Sequence, residues 1–498
     1  MASSRGPDQS EDRRSNGTRT RRAFLAGAAA GGLIALAGRH GFDSLYEGGS
    51  LKARGYSRAR PVQTDTGSLP ASVDVAIIGG GFAGICSALS LAERGLSVAV
   101  FEKGLVAGEA SGRSAGMIEA LQVGGSQLGL IEYSKGCWRR LSERIGADSS
   151  FLQNGNANVF YDQADLEDAR AWLDSVKGMP TGGARLLSAA EAARFVPGSR
   201  RPPIGGIQSI EDASAEPALA VPAITEGARR KGAKVFQNCA VRGIETSAGR
   251  ISGVVTERGA VKATRVVLAG GVWSPVLARR LGLDLPLAQG WVSMASTPPF
   301  AQGPEPGIVS LIGPNVGWRK QTDGGYAIWQ FAAISPILPD AVSHLRAFWP
   351  LLRAQASIVK LRVSPDSFMQ WMSFRKEVPL DRPGIFEQVR IYEPELRGRE
   401  IDAGIARLQD AVPAFVNASI RERWTGAMSM TPDTKPVLSE VSSMPGLIVA
   451  TGFYHGLTMG PAAGEIVADL ITGKKPALNI AQFRYERLID GSALSFID

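Results

Sequence analysis

Between Val73 and Lys103 the chain reads VDVAIIGGGFAGICSALSLAERGLSVAVFEK. The short apolar run Val73, Val75, Ala76, Ile77 and Ile78, bounded by glycine, predicts a strand buried on both faces. Gly79, Gly81 and Gly84 follow in G-x-G-x-x-G spacing. The first permits a tight turn, the second lets a pyrophosphate approach the backbone, and the third lets helix and strand pack closely. Phe82 to Arg94 reads as a helix with Ile85, Leu89 and Ala92 on one face. Its first residues, Phe82 and Ala83, offer free N–H groups and a positive dipole end to a phosphate. A second apolar run, Val98 to Phe101, ends in Glu102, eighteen residues after Gly84. A carboxylate there accepts hydrogen bonds from the hydroxyls of an adenosine ribose. A glycine-rich turn alone is common. Strand, turn, helix, strand and terminal acid in one register predict a dinucleotide site, with Lys103 beside its ribose end.

The remaining composition narrows the class. A chain of 498 residues can bury a large core and is long enough for two domains. Its net charge of +8 is concentrated at the start, because residues 1–60 hold eleven Lys/Arg against five Asp/Glu. Little positive charge is left for the rest, so no nucleic-acid partner is expected. Cys86, Cys137 and Cys239, and His40, His344 and His455, show no metal-ligand spacing, so no metal is expected. Thr20-Arg21-Arg22-Ala23-Phe24-Leu25 has the form of a twin-arginine export signal. The apolar stretch Ala23 to Gly38 is shorter than the ~20 residues of a membrane span and fits a signal core. Cut near Ala35-Leu36-Ala37 it is a leader; uncut it is an anchor. Either way the expected location is periplasmic, associated with the inner membrane. Residues 39–70 read as a linker.

After Glu102 comes a long loop of small residues, Gly104 to Gly116, which can lie against a flat ligand and present N–H groups to it. The sequence Gly108-Glu-Ala-Ser-Gly-Arg-Ser-Ala-Gly116 resembles the FAD-binding loop of the D-amino-acid-oxidase-like superfamily, which includes glycine and sarcosine oxidases. The resemblance implies FAD, with Ser111, Arg113, Ser114, Ala115 and Gly116 facing it; because no Cys lies near Met428, where some sarcosine oxidases attach flavin, the FAD is expected to be non-covalent. It also implies a backbone contact from Val241 to adenine, and a second close approach at Ala269-Gly270-Gly-Val-Trp273-Ser274. Trp273 fits core filling as well. Near the C-terminus, strand Leu447 to Ala450 enters a glycine-rich turn and a helix expected from about Pro461 to Ile471. By resemblance Gly456, Leu457, Thr458 and Met459 become cofactor contacts. His455 stands in the same turn, either near the cofactor or satisfied by backbone bonds.

The expected fold is α/β: a Rossmann-type, glutathione-reductase-like FAD-binding domain (71–125, 205–285 and 424–480) with a discontinuous α+β substrate domain (126–204 and 286–423). Residues 338–376 read as an inserted, mainly helical module interrupted at Pro350. It mixes Phe348, Trp349 and Trp371 with Arg346, Arg353, Lys360 and Arg362, a mixture suited to a membrane surface or to a helix pair packed on a sheet. Trp424-Thr-Gly-Ala-Met428 lacks the arginine that many amino acid oxidases carry there. With the twin-arginine start and the 338–376 insertion, it resembles the membrane-associated bacterial L-amino acid deaminases. That likeness implies an amino acid or amine substrate, oxidative deamination, and electrons passed to a respiratory acceptor. It also implies a catalytic-site arginine for the substrate carboxylate, matched here by Arg319; from the residues alone Arg319 is a hairpin charge. Two departures stand out. Met117 falls where the deaminases have a glutamine, and Phe453-Tyr-His-Gly456 is the form of other amine oxidases.

Overall fold

The structure, a computed structural model, describes residues 57–494 apart from 301–302, 305–306, 332, 337–342, 357–358, 363–370 and 397. The twin-arginine segment and His40 lie outside the described residues.

Two large sheets organise the chain. The first has the order Val437–Glu440, Leu447–Thr451, Gly259–Leu268, Ser72–Ile78, Val98–Phe101, Lys234–Phe236. All pairings in it are parallel except that of Val437–Glu440. An antiparallel pair, Val241–Ser247 and Arg250–Thr256, continues from Gly259–Leu268. Val75 to Ile78 and Val98 to Phe101 are buried throughout, as an apolar run in a sheet covered on both faces requires. Helix Phe82–Glu93 lies beside helix Gly456–Ile471, and their backbones nearly touch. A Cβ on Gly464 would stand 2.4 Å from the Cys86 carbonyl oxygen, so only glycine fits the crossing. Cys86 is a buried small residue of this core, and burial pushes its thiol pKa up to about 12.

The second sheet is ordered Val359–Arg362, Ala333–Pro336, Ala288–Ser296, Tyr326–Gln330, Val316–Lys320, Ile308–Ile312, Asn156–Phe160, Gly205–Ser209, Arg185–Ser188. Glu422–Met430 pairs along the full length of Ala288–Ser296. This sheet is mainly antiparallel. One face is closed by helix Gly398–Ala411 and an aromatic group of Trp318, Tyr326, Phe300 and Phe415. On the other, Trp329, Trp424 and Met294 pack towards Ala115 and Met117 of the small-residue loop.

Several local expectations change. The C-terminal helix starts at Gly456, five residues before Pro461, which sits inside it. Proline has no N–H for the carbonyl four residues back. That carbonyl, on Leu457, accepts the Trp138 indole N–H at 3.1 Å instead, so the irregularity is satisfied by a neighbour. Pro350 likewise lies inside helix Leu345–Ala354 rather than ending it. Within 338–376 there is also a strand the sequence reading missed, Val359–Arg362, parallel to Ala333–Pro336. The described end of the stretch read as a linker is bound down. Asp65 pairs with Val235 through backbone and side chain, and Arg58 covers the Trp424 ring at 3.4 Å while reaching Glu422.

Candidate active site

One cavity of about 1170 Å³ runs from the Gly79–Ala83 turn to the inner face of the second sheet. Its first end is built from backbone. Gly79 has φ +110° and leaves no room for a Cβ, which would stand 2.5 Å from the Ala269 oxygen. A Cβ on Gly81 would stand 2.9 Å from Ser111 Oγ, and that hydroxyl accepts the Phe82 N–H at 3.1 Å. Gly84 is not on the cavity wall. Its Cβ would meet the Gly79 oxygen at 2.1 Å, so it serves the packing of helix on strand. Glu102 accepts the N–H groups of Gly80 and Gly104, both at 2.7 Å. Burial raises its pKa, with Lys103 and these N–H groups opposing. Lys103 is held by Glu109 at 2.5 Å and lies 4.3 Å from the centre of the Trp273 ring.

The middle of the cavity is walled by the loop that carries Ser111, Arg113, Ser114, Ala115 and Gly116, with Val241, Gly270 and Trp273 beyond it. Arg113 is buried, and its guanidinium donates to the carbonyls of Gly108 and Thr425, each at 3.1 Å. It thereby ties the loop to strand Glu422–Met430. Ser114 Oγ is buried with no hydrogen-bond partner, a polar atom left for a ligand. Trp273 does both things the sequence allowed. It faces the cavity, and it packs on Phe374, Phe386 and Tyr392. Gly456, Leu457 and Thr458 open the C-terminal helix at the wall. Met459 does not. It is fully buried in the core beneath, because residues on successive positions of a helix face different ways.

Arg319 is the main correction among the side chains. Its guanidinium makes a two-pronged pair with Glu216, at 2.7 and 3.0 Å, and donates Nε–H to the Ala115 carbonyl at 2.8 Å. Burial pushes the Glu216 carboxyl up. The hydrogen bonds and charge of Arg319, with the Thr322 N–H and Gln321, outweigh it and hold the group below its ordinary value. Arg319 is on the sheet face that looks onto the loop, yet it sits behind Gly116 and off the cavity wall. The carboxylate it holds belongs to the protein.

The far end is polar, and sequence reasoning had marked only His455 and Met428 among its residues. Glu119 and His455 meet there, Oε1 to Nδ1 at 3.3 Å. Asn158 donates to Gln122 Oε1 at 2.5 Å, and Gln122 has φ +57°, unusual outside glycine. Ser310, Gln330 and Met428 complete the wall. Glu119 and Gln122 follow a short strand, Met117–Ile118, in a turn with no motif, so nothing in the sequence marked them.

The parallel sheet, the glycine turns and the small-residue loop define a dinucleotide-binding protein. The comparisons make it particular. The FAD dependent oxidoreductase family, DAO, matches residues 74–470, and the chain belongs to it. Its cofactor is FAD. The cradle fits that group: a wall where side chains are excluded, the Glu102 carboxylate at the end of the second strand and an unpartnered hydroxyl. Among solved structures it is similar to L-amino acid deaminase from Proteus myxofaciens in complex with anthranilate, 36% identical, covering 86% of this chain and 97% of that one, with TM-score 0.82. Among curated proteins it is similar to sarcosine oxidase subunit beta from an Arthrobacter species, 30% identical over 84% of this chain and 92% of the other. Human mitochondrial sarcosine dehydrogenase is 25% identical, and the chain spans 42% of its length. No group of three or more metal-ligating side chains occurs among the described residues.

Proposed function

We propose that the protein carries out FAD-dependent oxidative deamination of an amino acid. The observation that carries this reading is the single cavity that joins the Gly79–Ala83 turn to the side chains of the second sheet. When bound, FAD supplies the acceptor for the hydride that leaves Cα, and the imine is hydrolysed to a 2-oxo acid and ammonia. The chain's own residues orient the substrate and exclude water. Met294, Trp329 and Met428 give an apolar wall, and Gln122, Asn158 and Gln330 give hydrogen-bonding groups. The N–H groups that begin helix Gly456–Ile471 favour negative charge on the cavity side. Likeness to the Proteus L-amino acid deaminase supports an amino acid substrate. The likeness to the sarcosine oxidase subunit and the Phe453-Tyr-His-Gly456 turn support a secondary amine as the second reading.

Anaerobic bleaching of the bound flavin by a panel of L-, D- and N-methyl amino acids separates these. L-amino acids bleach it under the first reading; N-methyl amino acids alone would establish the second. A flavin that no amine bleaches would remove both and leave a non-catalytic electron-relay or assembly protein. The flavin is expected to be released by acid or heat, as a non-covalent group.

Export by the twin-arginine route, a membrane surface and a respiratory electron acceptor belong to the same reading. They rest on Thr20 to Leu25 and on helix Leu345–Ala354, where Trp349 is 59% exposed and Leu345 44% beside Arg346 and Arg353. Co-flotation with anionic vesicles, lost in Trp349→Ser, tests the surface; a low peroxide yield in air tests the acceptor.

A further inference from the structure

Two titratable side chains stand at the end of the cavity far from the Gly79–Ala83 turn. Glu119 comes from the turn after strand Met117–Ile118, and His455 caps helix Gly456–Ile471. Their approach is Oε1 to Nδ1 at 3.3 Å, and both line the cavity with little exposure. The pair is anchored on both sides. Glu119 N–H donates to Thr458 Oγ1 at 3.2 Å, and Glu119 Oε2 accepts from Asn156 Nδ2 at 3.3 Å. The Tyr454 ring packs edge-on against the imidazole with centroids 4.8 Å apart. Burial, and then the charge of Glu119, push the Tyr454 phenol pKa up, so Tyr454 stays neutral beside the pair. Asn156 also reaches Asp212, whose charge is met by buried Lys135 at 3.1 Å. Asp212 is thus committed to Lys135 and to the N–H groups of Ala120 and Leu121. Glu119 and His455 are left facing the cavity.

We propose that Glu119 and His455 form the amine-recognition subsite of this enzyme, in which the carboxylate attracts the substrate ammonium and the pair accepts its proton. The proposal rests on the deamination reading. A protonated amine has no lone pair with which to form the C=N bond, so one proton must leave before Cα is oxidised. The ammonium nitrogen gives one proton to the His455–Glu119 pair. The Cα–H bond breaks, and both its electrons leave with hydrogen to FAD. The nitrogen lone pair closes the iminium, and water then releases ammonia and a 2-oxo acid. An imidazole whose Nδ1 lies 3.3 Å from a carboxylate suits this step, because the negative charge favours the imidazolium formed. Nε2 makes no hydrogen bond to a described residue.

The test uses the FAD-loaded enzyme and two ligands that it cannot oxidise to an imine. 2-Aminoisobutyrate has an amine but no Cα–H, and isobutyrate lacks the amine. Binding is read from the flavin spectrum. Glu119→Gln is expected to raise the Kd of 2-aminoisobutyrate by ~10–100-fold, as loss of a charge-assisted contact does, with the Kd of isobutyrate unchanged. His455→Gln is expected to slow anaerobic flavin reduction by ~100-fold or more and to flatten the fall in rate on the acid side of the pH profile. Flavin content should stay at the wild-type level in both. Equal weakening of the two ligands would reduce the pair to a staple between turn and helix and overturn the proposal; so would wild-type values in both variants. Selective binding of 2-aminoisobutyrate by a wild-type enzyme whose flavin no amino acid bleaches would instead sink the deamination reading and leave the subsite standing.

Discussion

At the Gly79–Gly84 end of the cavity the wall is made by what side chains are absent. At the far end it is made by which side chains are brought together. Gly79, Gly81 and Gly84 belong to one short stretch, and each is required because a Cβ would collide with a named backbone or hydroxyl atom. Glu119, Asn158, Gln330 and His455 come from four separate parts of the chain, and only the second sheet and the C-terminal helix assemble them. The first end is a local construction and tolerates almost no substitution. The second is a long-range construction whose members can be exchanged one at a time, so relatives of one fold can take different amines there.

Three substitutions probe that contrast. Gly84→Val should have the largest effect. Its Cβ alone would stand 2.1 Å from the Gly79 carbonyl oxygen, a backbone atom that cannot yield without forcing helix from strand and breaking the cradle. The purified protein should be colourless, and retention of flavin absorbance would show that the turn is not the cradle. Arg319→Ala comes next. It leaves the Glu216 carboxylate buried without its partner, a loss of ~3–5 kcal/mol visible in the melting temperature. Arg319→Met with Glu216→Gln should recover much of it. A raised KM with an unchanged melting temperature would instead return Arg319 to the substrate.

The same pair sets a pH dependence. The folded-state pKa of Glu216 is depressed, so its contribution is complete above its ordinary value of 4.5 and is lost as pH falls through the lower folded value. The double variant should lose less stability in acid than the parent. Gln122→Ala is the mildest. It removes one hydrogen bond at the far end, and should shift kcat/KM by roughly 2–10-fold with flavin content and melting temperature unchanged. A loss of flavin in that variant would erase the division between the two ends.

The nucleotide end could be read from the residues because its physics is local. A buried strand, a turn that excludes Cβ atoms and a helix N-terminus each leave a mark within thirty residues. The Ser-x-x-Glu spacing of Ser188-Ala-Ala-Glu191 marks a capping box for the same reason, and the structure forms it. Arg319 shows the limit. Its place in a hairpin followed from the sequence, and strand Val316–Lys320 does pair with Tyr326–Gln330. Its partner did not, because Glu216 lies about a hundred residues away and a buried arginine pairs with whatever carboxylate the fold supplies. The start of the last helix was misplaced because Pro461 reads as a boundary; only Trp138, packed from another helix, makes a proline inside it tolerable.

What the amino-acid sequence determined by itself was the binding of a dinucleotide cofactor. Backbone conformation and the space beside a glycine are set by neighbours along the chain. What the tertiary structure alone decided was which charges face the cavity and which are spent holding the molecule together. Glu216 and Arg319 neutralise each other behind the loop, whereas Glu119 and His455 meet in front of it. A glutamate beside a basic side chain fills both roles, and the energy of a charge depends on the burial and partners found where it comes to rest.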